Sequence, residues 1–270
     1  FYYSELVSLV LDGDLELRNQ FENLPFYKYL GNPLFYERIP LTEIPMCNLK
    51  QINPETSLGP AFLWSPFFIL AHFTVLILNF LGFNISTNGF SNIHQIFTMF
   101  GSILYATVGL FIIYKFVTKF YNREITFISI LAIVLGFSVI QYISVEPSIY
   151  HAVTIFSVSL FIYYFYKTRN NNSYEKWITL GFISGLMLHT RWQEGFFFFL
   201  PLLYFLKDFF KLKRLKLRLE LLLKGVMYIL VIFILFIPQL IVFKEFNGGY
   251  FTLPQVARNI MDFSNPLERI

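Results

Sequence analysis

The chain has 270 residues, of which 56% are hydrophobic and 14% charged, against roughly 25% charged in a soluble globular domain. With a mean hydropathy of +0.56, 35 Phe and 17 Tyr, there is too little polar surface to coat a compact soluble body, which excludes a soluble α/β enzyme and makes lipid the solvent for much of the chain. The net charge of +4 divides into a local +5 over Lys207 to Lys224, seven basic residues against two acidic, and a local −4 over the first sixty residues, eight acids against four bases; one basic loop and one acidic end mark orientation in a membrane and exclude nucleic acid as a partner.

Taken in chain order, Tyr2, Tyr3, Leu6, Val7, Leu9 and Val10 recur at helical spacing, and the pattern stops at Asp12-Gly13-Asp14, with Gly13 as the terminator. The chain starts at Phe1 inside this helix and stops at Ile270 without a terminal signature, so a fragment truncated at both ends is expected. Pro25, Pro33, Pro40, Pro45, Pro54 and Pro60 then punctuate a segment too proline-rich for long helices. It holds Cys47, the single cysteine, so neither an intramolecular disulfide nor a cysteine-based metal site can form. Residues 1–60 form one acidic, aromatic first loop with a juxtamembrane helix.

No Asp, Glu, Lys or Arg occurs in the fifty-nine residues from Thr56 to Tyr114. The polar stretch Asn84–Asn92 divides them into Ala61–Leu81 and Gln95–Tyr114, each near the roughly 20 residues that cross a bilayer core. Further apolar segments are Ile125–Ile143, Tyr150–Tyr166, Trp177–His189, Gly195–Leu206 and Val226–Phe243. They lack strand alternation, and a lipid-exposed backbone must bond to itself, so all are predicted helices. The fold class is therefore all-α, a polytopic transmembrane bundle over 61–243, with 244–270 opening a further extracytoplasmic loop.

Three basic groups mark cytoplasmic loops: Lys115, Lys119 and Arg123; Lys167, Arg169 and Lys176; and the Lys207–Lys224 run, whose alternation with leucine reads as an amphipathic surface helix on anionic lipid. Asn84–Asn92, Ser144–Pro147 and Thr190–Glu194 then lie outside. Trp177–His189 and Gly195–Leu206 are too short to span comfortably and are predicted to meet at a polar corner, Thr190–Glu194, that sits in protein or water. A parity conflict follows. If Asn84–Asn92 is outside and Ala61–Leu81 crosses fully, the first sixty residues are cytoplasmic; either that segment re-enters, bent at Pro66, or one loop breaks the charge rule.

Few residues in such a chain can carry chemistry. Asp12, Asp14 and Glu16 cluster after the first helix, where carboxylates act as a general base toward a hydroxyl or hold a divalent cation, Mg or Mn, beside a phosphate; the alternative is a solvated helix end. Glu146 and His151 flank Pro147 between apolar segments, where ionisable groups are costly unless paired or functional. Arg191 and Gln193 stand at the polar corner, where a guanidinium fork suits phosphate oxygens, unless Arg191 simply pairs with Glu194. His72, His94 and His189 read as packing residues.

The first helix with its DGDLELRN continuation, SLGPAFLWSPFFILAH, GSILYATVGLFIIYKF, EPSIYHA and GLMLHTRWQEGFFFFLPLL together resemble the GT-C superfamily of membrane glycosyltransferases. More narrowly, they are similar to the bacterial relatives of the dolichyl-phosphate-mannose protein mannosyltransferases and aminoarabinose transferases. The resemblance implies a polyprenyl-phosphate-linked sugar donor used on the non-cytoplasmic face of a bacterial inner or plasma membrane, with membrane lipids around it and a protein, lipid or polysaccharide hydroxyl as acceptor. It also implies an essential Asp at or before Phe1, a second acidic position at Asp12 and Asp14, and a donor-phosphate corner at Arg191 and Gln193, with Glu146 and His151 as further substrate-binding candidates. It favours the first sixty residues lying outside. Neither the oligomeric state nor the sugar follows from the sequence. A transporter or flippase of lipid or polysaccharide intermediates is the alternative; it predicts inverted repeats and a charged path across the membrane, whereas the charges here cluster at loops.

Overall fold

A computed structural model describes residues 2–14, 20, 29–30, 39–40, 57–247 and 250. The chain divides into two compact units, Ser57–Ile237 and a second made of Phe1–Thr56 with Pro238–Ile270. In the latter, α1 (Tyr2–Val7) widens into a π turn over Ser8–Asp12, and β1 (Tyr29–Leu30) pairs antiparallel with β2 (Ile39–Pro40). Glu16 lies outside the described residues.

The larger unit is all-helical among the described residues. Its elements are α2 (Gly59–Phe80), α3 (Asn92–Val117), α4 (Arg123–Gly136), α5 (Val139–Ser144), α6 (His151–Thr168), α7 (Tyr174–Thr190), a 3-10 turn (Trp192–Phe198), α8 (Phe199–Lys211) and α9 (Leu215–Asn247), the last running on past the unit boundary. α2, α3 and the Leu215–Lys244 part of α9 are long and apolar enough to cross a membrane.

Ring contacts set the helix directions. His72 meets His94 and Phe67 meets Tyr105, so α2 and α3 are antiparallel. Tyr105 meets Phe156 and Phe116 meets Tyr166, so α3 and α6 run parallel. They approach closely because Gly109 has no side chain: a Cβ there would stand 2.8 Å from the Phe156 backbone. Gly59 does the same for α2, where a Cβ would fall 2.3 Å from the His189 carbonyl at the end of α7. Small residues at such crossings let helices pack where lipid supplies no hydrophobic drive between them. The core gathers Phe161, Phe165, Trp177, Leu180, Met187, Leu221 and Tyr228. It is pinned by buried hydroxyl pairs, Ser157 with Thr190 at 2.9 Å and Ser184 with Tyr228 at 3.0 Å.

The three basic groups predicted for one face do lie at one end of this unit. Lys119 Nζ sits 5.5 Å from the rings of both Tyr163 and Tyr166, joining the end of α3 to the end of α6. Lys224 Nζ lies 4.8 Å from the Tyr174 ring, joining the start of α9 to the start of α7. Trp177 packs on Phe205, which brings the end of α8 to the same place.

Three expectations need correction. Ile125–Ile143 is two helices, α4 and α5, parted around Phe137, because Gly136 and Ser138 offer the backbone a cheap place to stop. The basic run is no separate surface helix: Leu215–Lys224 is the first part of α9, whose leucines continue directly into the apolar stretch. The bend expected at Pro66 is not made, since α2 is continuous through it over 22 residues.

Gly109→Ala is expected to destabilise the bundle by about 1–3 kcal/mol through overpacking against backbone. Gly136→Ala, whose Cβ would meet nothing within 4 Å, should leave the thermal midpoint in detergent unchanged or slightly raised. In a Cys47→Ser background, single cysteines at Lys119, Asn171 and Lys213 should react with an impermeant maleimide from one face and a cysteine at Ser86 from the other.

Candidate active site

Two breaks in the helical course build the site. After α5 the chain turns through Glu146 and Pro147, with the Val145 and Glu146 amides both donating to the Gln141 carbonyl at 2.8 and 2.9 Å. Proline cannot donate, which suits the turn, and Pro147 is buried there. The chain re-enters helix at His151, where Thr154 fastens the turn by donating from both N–H and hydroxyl to the Tyr150 carbonyl, each at 2.9 Å. At the second break, Arg191 adopts an extended backbone, φ −163° and ψ 117°, which ends α7 and presents Arg191, Gln193 and Glu194 on the short 3-10 turn.

Between these breaks lies a cleft of about 430 Å³. Its polar wall is Tyr142, His151, Thr154 and Glu194; its apolar wall is Phe137, Val139, Ile155, Val158 and Phe197. The His151 ring stacks on Tyr142 with centroids 3.9 Å apart and lies 4.3 Å from Tyr150. Arg191 Cζ stands 5.4 Å from the Tyr150 ring centre, within cation–π range. Both Glu146 and Arg191 act electrostatically on the His151 imidazole.

The Arg191–Glu194 pair weighed from the sequence exists, but loosely. Nη1 to Oε1 is 3.8 Å, an ion pair without a hydrogen bond. Beside it, the buried Nε of Arg191 and the buried Oε1 of Gln193 have no hydrogen-bond partner among the described residues. Such atoms are costly unless something else satisfies them. Burial holds the Glu194 carboxyl above the usual carboxylate range, and the Arg191 charge partly offsets this.

Of the six residues singled out in the sequence, Glu146, His151, Arg191 and Gln193 thus come to one region. Asp12 and Asp14 belong to the other unit. Both are exposed, and both close the end of the first helix: Ser8 Oγ donates to Asp14 Oδ1 at 2.8 Å, the Gly13 amide donates to the Ser8 carbonyl, and the Gln20 amide donates to Asp12. A buried carboxylate of that helix, Glu5 at 2% exposure, was missed; its place on the apolar face beside Leu6 was the available signal. Tyr142 and Tyr150 were missed too, although a proline turn brings residues on either side of it together. Among the described residues no three His, Cys, Asp or Glu side chains gather as a metal site, so a cation at Asp14 would need donors from elsewhere in the chain.

The comparisons with known proteins agree with this architecture. The family described as dolichyl-phosphate-mannose-protein mannosyltransferase matches residues 68–241, more than half of the chain. That stretch contains Glu146, His151, Arg191 and Gln193, and Asp12 and Asp14 fall before it. No curated protein and no solved structure matches. A chain whose larger unit is all-helical among the described residues, with helices fit to cross a membrane, and which is matched over this length, belongs to the dolichyl-phosphate-mannose-protein mannosyltransferase family and is a membrane glycosyltransferase of the GT-C type.

Proposed function

We propose that this chain transfers a sugar from a polyprenyl-phosphate-linked donor to an acceptor hydroxyl on the non-cytoplasmic face of a bacterial plasma membrane, and that the cleft beside Arg191 receives the donor phosphate. The observation that supports this is a pair of buried atoms with no hydrogen-bond partner among the described residues, the Nε donor of Arg191 and the Oε1 acceptor of Gln193, on the same turn as Glu194, which lines a cleft with one polar and one apolar wall. A phosphosugar offers an anionic oxygen to the first and a hydroxyl to the second, and a polyprenyl chain suits the apolar wall.

In the proposed reaction the acceptor oxygen attacks the anomeric carbon, the bond from that carbon to the phosphate oxygen breaks, and configuration inverts. The hydroxyl proton passes to a carboxylate base, a role for which the family resemblance puts forward Asp14 or Asp12, and the electron pair leaves with polyprenyl phosphate. Arg191 meets the charge that grows on the leaving oxygen, an interaction stronger in the transition state than in the ground state. His151 lines the sugar side, with the Glu146 carboxylate acting electrostatically on it.

Arg191→Ala should lower transfer from a polyprenyl-phosphate sugar by about 10²-fold or more, the usual scale for losing one oxyanion donor. Arg191→Lys, which keeps the charge and loses the planar fork, should retain part of the activity. Asp14→Asn should lower turnover with little change in donor KM. Full turnover in both Arg191→Ala and Asp14→Asn contradicts the proposal.

A further inference from the structure

Arg191 is held in an unusual way for a residue meant to receive a phosphate. Its one acidic neighbour in the larger unit's turn, Glu194, is near enough to attract it and, at 3.8 Å, too far to bond. The Tyr150 ring lies 5.4 Å from the Arg191 Cζ, the His151 ring lies 4.3 Å from Tyr150 at a tilt of 43°, and Tyr142 stacks on His151 at 3.9 Å. These rings come from two elements, α5 and the start of α6, and form a run of ring contacts that reaches the guanidinium. The anchor of this run is rigid, since Thr154 grips the Tyr150 carbonyl twice.

We infer that Tyr150, with His151 and Tyr142 behind it, is the positioning residue of Arg191. The electron-rich ring face draws the weakly hydrated, flat guanidinium toward itself and so keeps it from closing onto Glu194. In that posture the buried Nε stays free of protein acceptors and available to an anionic oxygen. Without the ring, the guanidinium collapses onto the Glu194 carboxylate, and the ligand must break that pair to bind. Tyr150 touches Arg191 and not the reacting atoms. The break between α4 and α5 gains a role by the same reasoning, since it releases Tyr142 from the α4 course to back His151.

The inference rests on the cleft being the donor-phosphate site, and a double-mutant cycle separates the two. The full chain in lipid nanodiscs is assayed with a synthetic short-chain polyprenyl-phosphate mannose, in wild type, Tyr150→Leu, Arg191→Ala and the double variant. Tyr150→Leu should raise the donor KM by about five- to tenfold, the scale of a partly exposed cation–π contact, with kcat changed less. Tyr150→Phe, which keeps the ring face, should raise the donor KM far less than Tyr150→Leu. In the Arg191→Ala background, Tyr150→Leu should cost nothing further. An equal loss in both backgrounds overturns the positioning role while leaving the phosphate site standing. Wild-type transfer by Arg191→Ala overturns the site and the positioning role together. If Tyr150→Leu does not fold, Tyr150→His is carried through the same cycle.

Discussion

In a chain this apolar, the backbone can leave a helix only where protein or water takes up the amides and carbonyls that the departure releases. Two such departures, around Phe137–Tyr150 and at Arg191–Phe198, flank one cleft. Everything polar in the larger unit's candidate site follows from that juxtaposition. Glu146 and His151 come from the first departure and Arg191, Gln193 and Glu194 from the second. Neither group has a sheltered alternative in a smooth bundle of apolar helices, where an ionisable side chain is costly unless it is paired or faces a cavity.

The charges within that region are incompletely matched. Arg191 faces Glu194 across a distance that neutralises without bonding, while its Nε and the Gln193 carbonyl keep hydrogen-bonding capacity unspent. A purely structural ion pair in a sheltered site gains most from short, fully satisfied contacts, because desolvation of both charges is otherwise uncompensated. Lys224, buried at the basic end, instead bonds at 2.6 Å to Glu220, whose side chain is 42% exposed. The contrast between the two pairs within one unit is the physical reason to assign ligand binding to the Arg191 corner and orientation to the basic end.

Much of this was legible in the sequence, and the remainder was hidden for definite reasons. The Thr190–Glu194 corner announced itself because five polar or aromatic residues interrupt two apolar runs, and α7 and α8 end and begin around it as expected. The grouping of basic loops was legible because charge position in a membrane chain is set by the bilayer and not by local propensity. The break at Gly136–Ser138 was not, since glycine and serine occur freely inside membrane helices and only the tertiary course decides which one stops the helix. The continuity of α9 was concealed by its basic start: alternating lysine and leucine describe a surface helix equally well as the flank of a spanning one. Periodicity marked Asp12 and Asp14 as the end of a helix, and their side chains complete that end by accepting from Ser8 and Gln20. The run of ring contacts through Tyr142, His151 and Tyr150 depends on how a proline turn folds back, which spacing along the chain does not encode.

The central claim is that the two helix breaks create the binding site for a lipid-linked phosphate. Its most direct measurement is photo-crosslinking of the full chain, in nanodiscs, with a polyprenyl phosphate that carries a diazirine on its first isoprene unit, followed by peptide mapping. Adducts on the α5–α6 turn and on the Trp192–Phe198 segment, competed by unlabelled polyprenyl phosphate and lost in Arg191→Ala, are the predicted result. Adducts confined to the basic end, at Lys167–Lys176 or Lys207–Lys224, with none at the cleft, would contradict the account.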